Sequence, residues 1–169
     1  MASLTINRLR ETAQRLAAAQ GEARMGLLGE LGLFIHDELG RWTYSDTPMN
    51  SVTFASTGGD GVHFGVLTTL VSDGHDGPVV MTVPLKGNIV VAECVREFLE
   101  LGYHHGWFRL EQLVYREAWT VETYAELPDF RPSVLDALCL ELALRPRALT
   151  STRLLELRGR YLPAILPKA

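Results

Sequence analysis

Between residues 49 and 101 the spacing of hydrophobic positions changes period, and the change divides this stretch into its elements. Val52 and Phe54 alternate with polar neighbours over 51–56, and Val62, Phe64 and Val66 repeat the alternation over 62–70. A period of two is that of a strand with one buried face. Residues 77–83 form a third such run, ended by Pro84, which cannot donate to a sheet ladder. The reversals are glycine-rich: Thr57-Gly58-Gly59-Asp60-Gly61 supplies the positive φ values of a tight hairpin, and residues 72–77 make the second turn the same way. Over 90–101 the period becomes helical, with Val91, Val95, Phe98 and Leu99 on one stripe and Gly102 as the expected stop. A three-stranded antiparallel meander backed by a helix is the expected kernel, over residues 50–101.

Helical spacing continues on both sides. Ile6, Leu9, Ala13, Leu16 and Ala17 predict a helix over 4–19, with Ser3 or Thr5 as its cap and Gly21 beyond its end. Leu28, Leu31, Ile35 and Leu39 predict a second over 22–39, although Gly26, Gly29 and Gly32 each weaken it by roughly 1 kcal/mol relative to alanine. Residues 41–50 read as a loop anchored by Trp42 and Tyr44. Downstream, a short helix is expected over 107–115, a helical turn over 120–128, a helix over 132–144 and a last one over 150–161 capped by Thr150 or Ser151. The fold class that follows is α+β: an antiparallel β-meander packed against helices, with extra helices at both ends. It forms one domain over 1–169, whose C-terminal helical part spans 103–162.

Composition narrows the function classes. A chain of 169 residues that is 47% hydrophobic and 21% charged can bury a core without staples and suits a soluble protein. No apolar run approaches the ~18 residues of a membrane span, and the N-terminus lacks a secretory h-region, so a cytoplasmic location is expected. Cys94 and Cys139 lie in apolar surroundings, which suits small buried hydrophobes and suggests neither a disulfide framework nor a zinc site. The net charge of −4 makes nucleic-acid binding the weakest reading. The charge is uneven, however, because Arg131, Arg145, Arg147, Arg153, Arg158 and Arg160 make the last part of the chain basic. A solvated helical face accounts for that tail.

Candidate chemistry is sparse. The glycine loop at 57–61 lacks the following helix and the Gly-Lys-Ser/Thr end of a phosphate loop, and so reads as a hairpin turn. Asp60, His63, His75 and Asp76 stand at the sheet turns, where imidazole and carboxylate groups are the ligand types of a metal-dependent hydrolase. Zinc-type sites need three or four convergent ligands. The adjacent His104 and His105 point in different directions and do not chelate together. His36 beside Asp37 and Glu38 reads as a polar helix edge. Glu93, Glu97 and Glu100, four and three residues apart, share one helix face and would present an acidic stripe to a basic partner protein. No catalytic residue and no cofactor is expected.

The run from Phe54 to Phe64 (FASTGGDGVHF), then Gly77-Pro78-Val79-Val80, then the segment from Val91 to Leu101 (VAECVREFLEL), resembles the second half of SMI1/KNR4-like (SUKH superfamily) proteins. The run from Ser56 to Phe64, with Leu110 to Tyr115 (LEQLVY), also resembles a group of uncharacterised bacterial proteins. The N-terminal half departs from the superfamily pattern, with Leu28 to Gly32 and Trp42 to Pro48 in the corresponding places. The resemblance implies a non-enzymatic binding module, and many such proteins are immunity proteins that neutralise a cognate toxin. It transfers no toxin-contact residue to this chain. The expected function is therefore protein binding, through the acidic helix face and the exposed edge of the meander, with the turn-histidine hydrolase as the alternative. A homodimer is compatible with the apolar faces of the last two helices.

Overall fold

The computed structural model describes residues 4–21, 26–68, 76–126 and 133–168. It is α+β, and its centre is a five-stranded antiparallel sheet in the order β1-β2-β3-β4-β5, two strands more than the sequence pattern predicts. The strands are β1 (Phe34–Gly40), β2 (Ser51–Ser56), β3 (His63–Leu67), β4 (Val79–Val83) and β5 (Gly87–Ala92). Helix α1 (Ile6–Gln20) precedes them, and α2 (Val95–His105), α3 (Glu117–Ala125), α4 (Ser133–Leu142) and α5 (Ser151–Tyr161) follow.

The strand β1 replaces predicted helix, and β5 takes up the connection before the helix expected over 90–101 together with that helix's first residues. In place of a helix over 22–39, whose residues 22–25 lie outside the described part, there is a 3-10 turn at Gly29–Leu31 and then β1. Gly32 explains the break, because a Cβ there would meet the backbone of Phe108 at 2.5 Å. Past it, Leu33 and Ile35 are buried while Phe34 and His36 between them are half-exposed, which is a strand period and not a helical one. At β5 the β-branched run Ile89-Val90-Val91 continues the ladder, pairing Ile89 with Met81 and Val90 with Val80. Helix α2 consequently starts later, with Cys94 as its cap: the half-buried sulfur accepts from the Glu97 amide at 3.5 Å. It also runs past Gly102, whose missing side chain admits the Trp107 ring, and ends at Gly106 with φ 70°.

The core lies between the sheet and α2. Phe98 meets Phe54 edge-on at 5.7 Å and Phe64 at 4.8 Å, and Trp107 packs behind it at 6.0 Å while donating its indole N–H to the Phe98 carbonyl. Trp107 opens a 3-10 helix at Phe108–Val114, not an α-helix, and only Leu110 and Leu113 of that segment are buried. Helix α1 is capped by Thr5 and packs on α4, and the Thr150 cap of α5 stands as the sequence predicts.

The sequence pattern suggests one buried sheet face, yet every residue of β3 and β4 is buried. The second face is covered by the 41–50 loop on one side and by helix α5 with the tail beyond it on the other. Residues 41–50 lie over His63, and the C-terminal stretch lies over Val90 through Leu157, Tyr161 and Ile165. Asn50 ties the two covers together, its side chain bonding the Ala164 carbonyl at 2.8 Å and the Leu166 amide at 2.9 Å. Helix α5 packs along β5, whereas β1 forms the opposite edge, with no strand on its outer side among the described residues.

Candidate functional site

Of the acidic stripe, Glu93 precedes α2 and is half-exposed, while the two glutamates on the helix do not face solvent. Glu97 and Glu100 are 4% and 6% exposed, and the C-terminal arginines enclose them. Arg153 donates to both Glu97 oxygens at 2.8 and 3.0 Å and to Glu93 at 2.8 Å. Arg147 reaches Glu97 at 3.2 Å and Glu100 at 3.4 Å. Glu93 also receives Arg160 and, at 2.7 Å, the Tyr161 hydroxyl. Bonds from Tyr161 and Arg153 hold the Glu93 carboxyl below its usual range, while burial and Glu93 push the Tyr161 phenol up to about 12. The acidic middle and the basic tail of the sequence thus meet in one ion-pair network, with Glu97 and Glu100 buried and Arg147 and Arg160 at its outer side. Glu97 and Glu100 are therefore not the free acidic face the sequence pattern suggests, and Arg153 is not simply solvated, whereas Arg147 pairs with them and stays half-exposed.

The turn residues are also separated. Asp76 sits where α2 begins, its carboxylate accepting from the Val95 amide at 3.1 Å. His63 lies at the other end of the β3/β4 ladder, opposite Thr82, while the Asp76 end is that of the Val66/Val79 pair. His75 lies outside the described residues. Asp60 is exposed on the 57–61 hairpin, with φ 49°. Among the described residues, no three His, Cys, Asp or Glu side chains could hold a metal ion together. His63 is 1% exposed and fully engaged: Nδ1–H donates to the Gly61 carbonyl at 2.8 Å, and Nε2 accepts from the Thr47 hydroxyl at 3.1 Å. Those two bonds fix the neutral tautomer and occupy both positions a metal would use.

Around His63 stands a group that sequence reasoning missed. Trp42 lies between two imidazoles, stacked on His36 at 4.8 Å and 10° and tilted against His63 at 5.0 Å. Tyr44 stacks on His63 at 5.7 Å. The His36 Nε2 and the Ser56 hydroxyl are hydrogen-bonded at 3.1 Å. Burial lowers the pKa of both histidines, and their mutual repulsion lowers that of His36 further. Two open clefts share Trp42, Ser56 and Gly58 as walls. The larger, about 580 Å³, is lined also by Phe34, His36, Asp37 and Glu38, and the smaller, about 250 Å³, by Tyr44 and the hairpin residues 59–62.

The hairpin glycines shape these walls. A Cβ on Gly58, at φ 84°, would collide with the Phe34 ring, and one on Gly61 would meet the Tyr44 ring at 2.7 Å. The signal in the sequence was the alternation Phe34, His36, Glu38, which places three cleft residues on one side of a strand. It was read as part of a helix. The Ser56/His36 contact lacks a third group on the imidazole, since no described residue holds the His36 Nδ1, and an activated serine needs its base oriented. The clefts thus combine flat rings, carboxylates at the rim and a sheet edge beside them. No family model, no curated protein and no solved structure matches the chain.

Proposed function

We propose that this protein is a non-enzymatic binding module acting in the cytoplasm. It engages a protein partner along the outer edge of β1 and the cleft beside it, in the manner implied by the resemblance to SMI1/KNR4-like proteins. A toxin neutralised by occlusion is the partner that resemblance suggests. One observation carries the reading: the open edge of the sheet runs directly into an aromatic cleft, since Phe34, His36 and Glu38 belong to both. An edge strand offers unpaired amide and carbonyl groups, and a partner strand added there gains main-chain hydrogen bonds while its side chains enter the pocket. The surface moves from α2 to β1, because the α2 glutamates are already satisfied.

The test is affinity capture of the tagged protein from its own cells, alongside two variants. A stoichiometric partner is expected with the wild type and with Glu122→Lys on exposed α3 surface, and is expected to disappear with Asp37→Lys/Glu38→Lys. A partner that survives the β1 charge reversal, or no stoichiometric partner at all, rules the proposal out.

A further inference from the structure

We propose that the paired clefts around Trp42 receive an arginine side chain of the protein partner, its guanidinium against the Phe34 or Tyr44 ring beside the edge of Trp42 and paired with Glu38 or Asp60. This deepens the binding-module reading and rests on it. Charge is the first argument. The described walls carry Asp37, Glu38 and Asp60 and no lysine or arginine, so the site attracts a cation and repels an anion. The imidazoles do not oppose this, because burial keeps His36 and His63 below their usual range and therefore uncharged near neutral pH.

Shape is the second argument. The walls carry the planar rings of Phe34, Trp42 and Tyr44. The faces of Trp42 are taken by His36 and His63, so the rings that can receive a guest are Phe34 and Tyr44. A guanidinium is planar, weakly hydrated and suited to stacking on aromatic faces while forking to a carboxylate. An ammonium is compact and more strongly hydrated, and fits such a slot less well. An apolar anchor would remove water from Glu38 and Asp60 with nothing to replace it. Tyr44 is still 42% exposed and Phe34 half-exposed, which leaves ring surface for an incoming side chain.

The experiment is an amide NMR titration of the full chain with Nα-acetyl-arginine methylamide and with its uncharged isostere, Nα-acetyl-citrulline methylamide. Arginine should give saturable shifts at the Trp42 indole N–H, identified by its loss in Trp42→Phe, and at the Gly58 and Gly61 amides. Citrulline should bind about tenfold more weakly. The variant Glu38→Gln/Asp60→Asn keeps side-chain size, and asparagine tolerates the positive φ at residue 60. It should weaken arginine about fivefold while leaving the rest of the spectrum in place.

Equal binding of the two probes, undiminished binding to the double variant, or no saturable shift at these resonances overturns the inference. Its fate is separable from that of the binding module. A partner lost on β1 charge reversal without arginine binding defeats only the cleft assignment. Arginine binding with no such partner leaves the cleft as a cation site and defeats the module.

Discussion

The His63 imidazole has both nitrogens bonded and no solvent around it, so adding a proton requires breaking the bond it accepts from Thr47. That predicts a pH dependence with a definite sign. The unfolded imidazole titrates near 6.5 and the folded one lower, for burial first. As pH falls through 6.5 the unfolded chain takes up protons that the folded chain does not, and stability declines until the folded pKa is passed. Above that window His63 contributes no slope. Urea unfolding at pH 8 and pH 5.5 should show a lower midpoint at the acid value, and His63→Gln should reduce the difference. A wild-type midpoint that is unchanged or higher at pH 5.5 would show that the imidazole is not held neutral by its surroundings.

Among the elements, α5 is held to α2 and the turn before it by the Arg153 guanidinium, which serves Glu97, Glu93 and its own helix's Glu156. Arg153→Ala leaves Glu97 in a buried position with only the half-exposed Arg147 as a cationic partner, beside the Glu93 amide, and a loss of about 3 kcal/mol is expected from chemical denaturation. Replacing Glu97 and Arg153 together by methionine should recover most of that loss, and if the single and double variants are equally destabilised the uncompensated charge is not the cause. Residues like these show which elements the sequence could reveal. α1, α5 and β2 to β4 were legible because caps, glycine turns and residue period all act within a few residues of one another. β1 and β5 were not, since β1 is dictated by Phe108 filling the space over Gly32, and β5 by its ladder with β4. The site failed for the same reason: Trp42, His36 and His63 meet only after residues 41–50 fold over the sheet. Of the glutamate stripe, Glu97 and Glu100 lie on α2 while Glu93 stands just before it, and the arginine partners from the C-terminal part lie 47 to 67 residues further on.

For the whole molecule, one hydrophobic core runs from Leu4 to Leu154 through the sheet and α2, so calorimetry should record a single cooperative transition. Two separable transitions would divide the chain that the sequence composition treats as one domain. No helix among the described residues is long and apolar enough to cross a membrane. The cover on the second sheet face carries a consequence for biosynthesis. Asn50 and Met49 donate to the carbonyls of Ala164 and Leu166, and Asn50 accepts from the Leu166 amide, so a ribosome that has just released β5 has made a sheet whose second face lacks the C-terminal part of its cover. At ordinary elongation rates roughly 4–15 s pass before residue 166 is added. During that interval Val90 and its neighbours are open to whatever binds nascent apolar strands, which makes this chain a candidate client of a ribosome-associated chaperone.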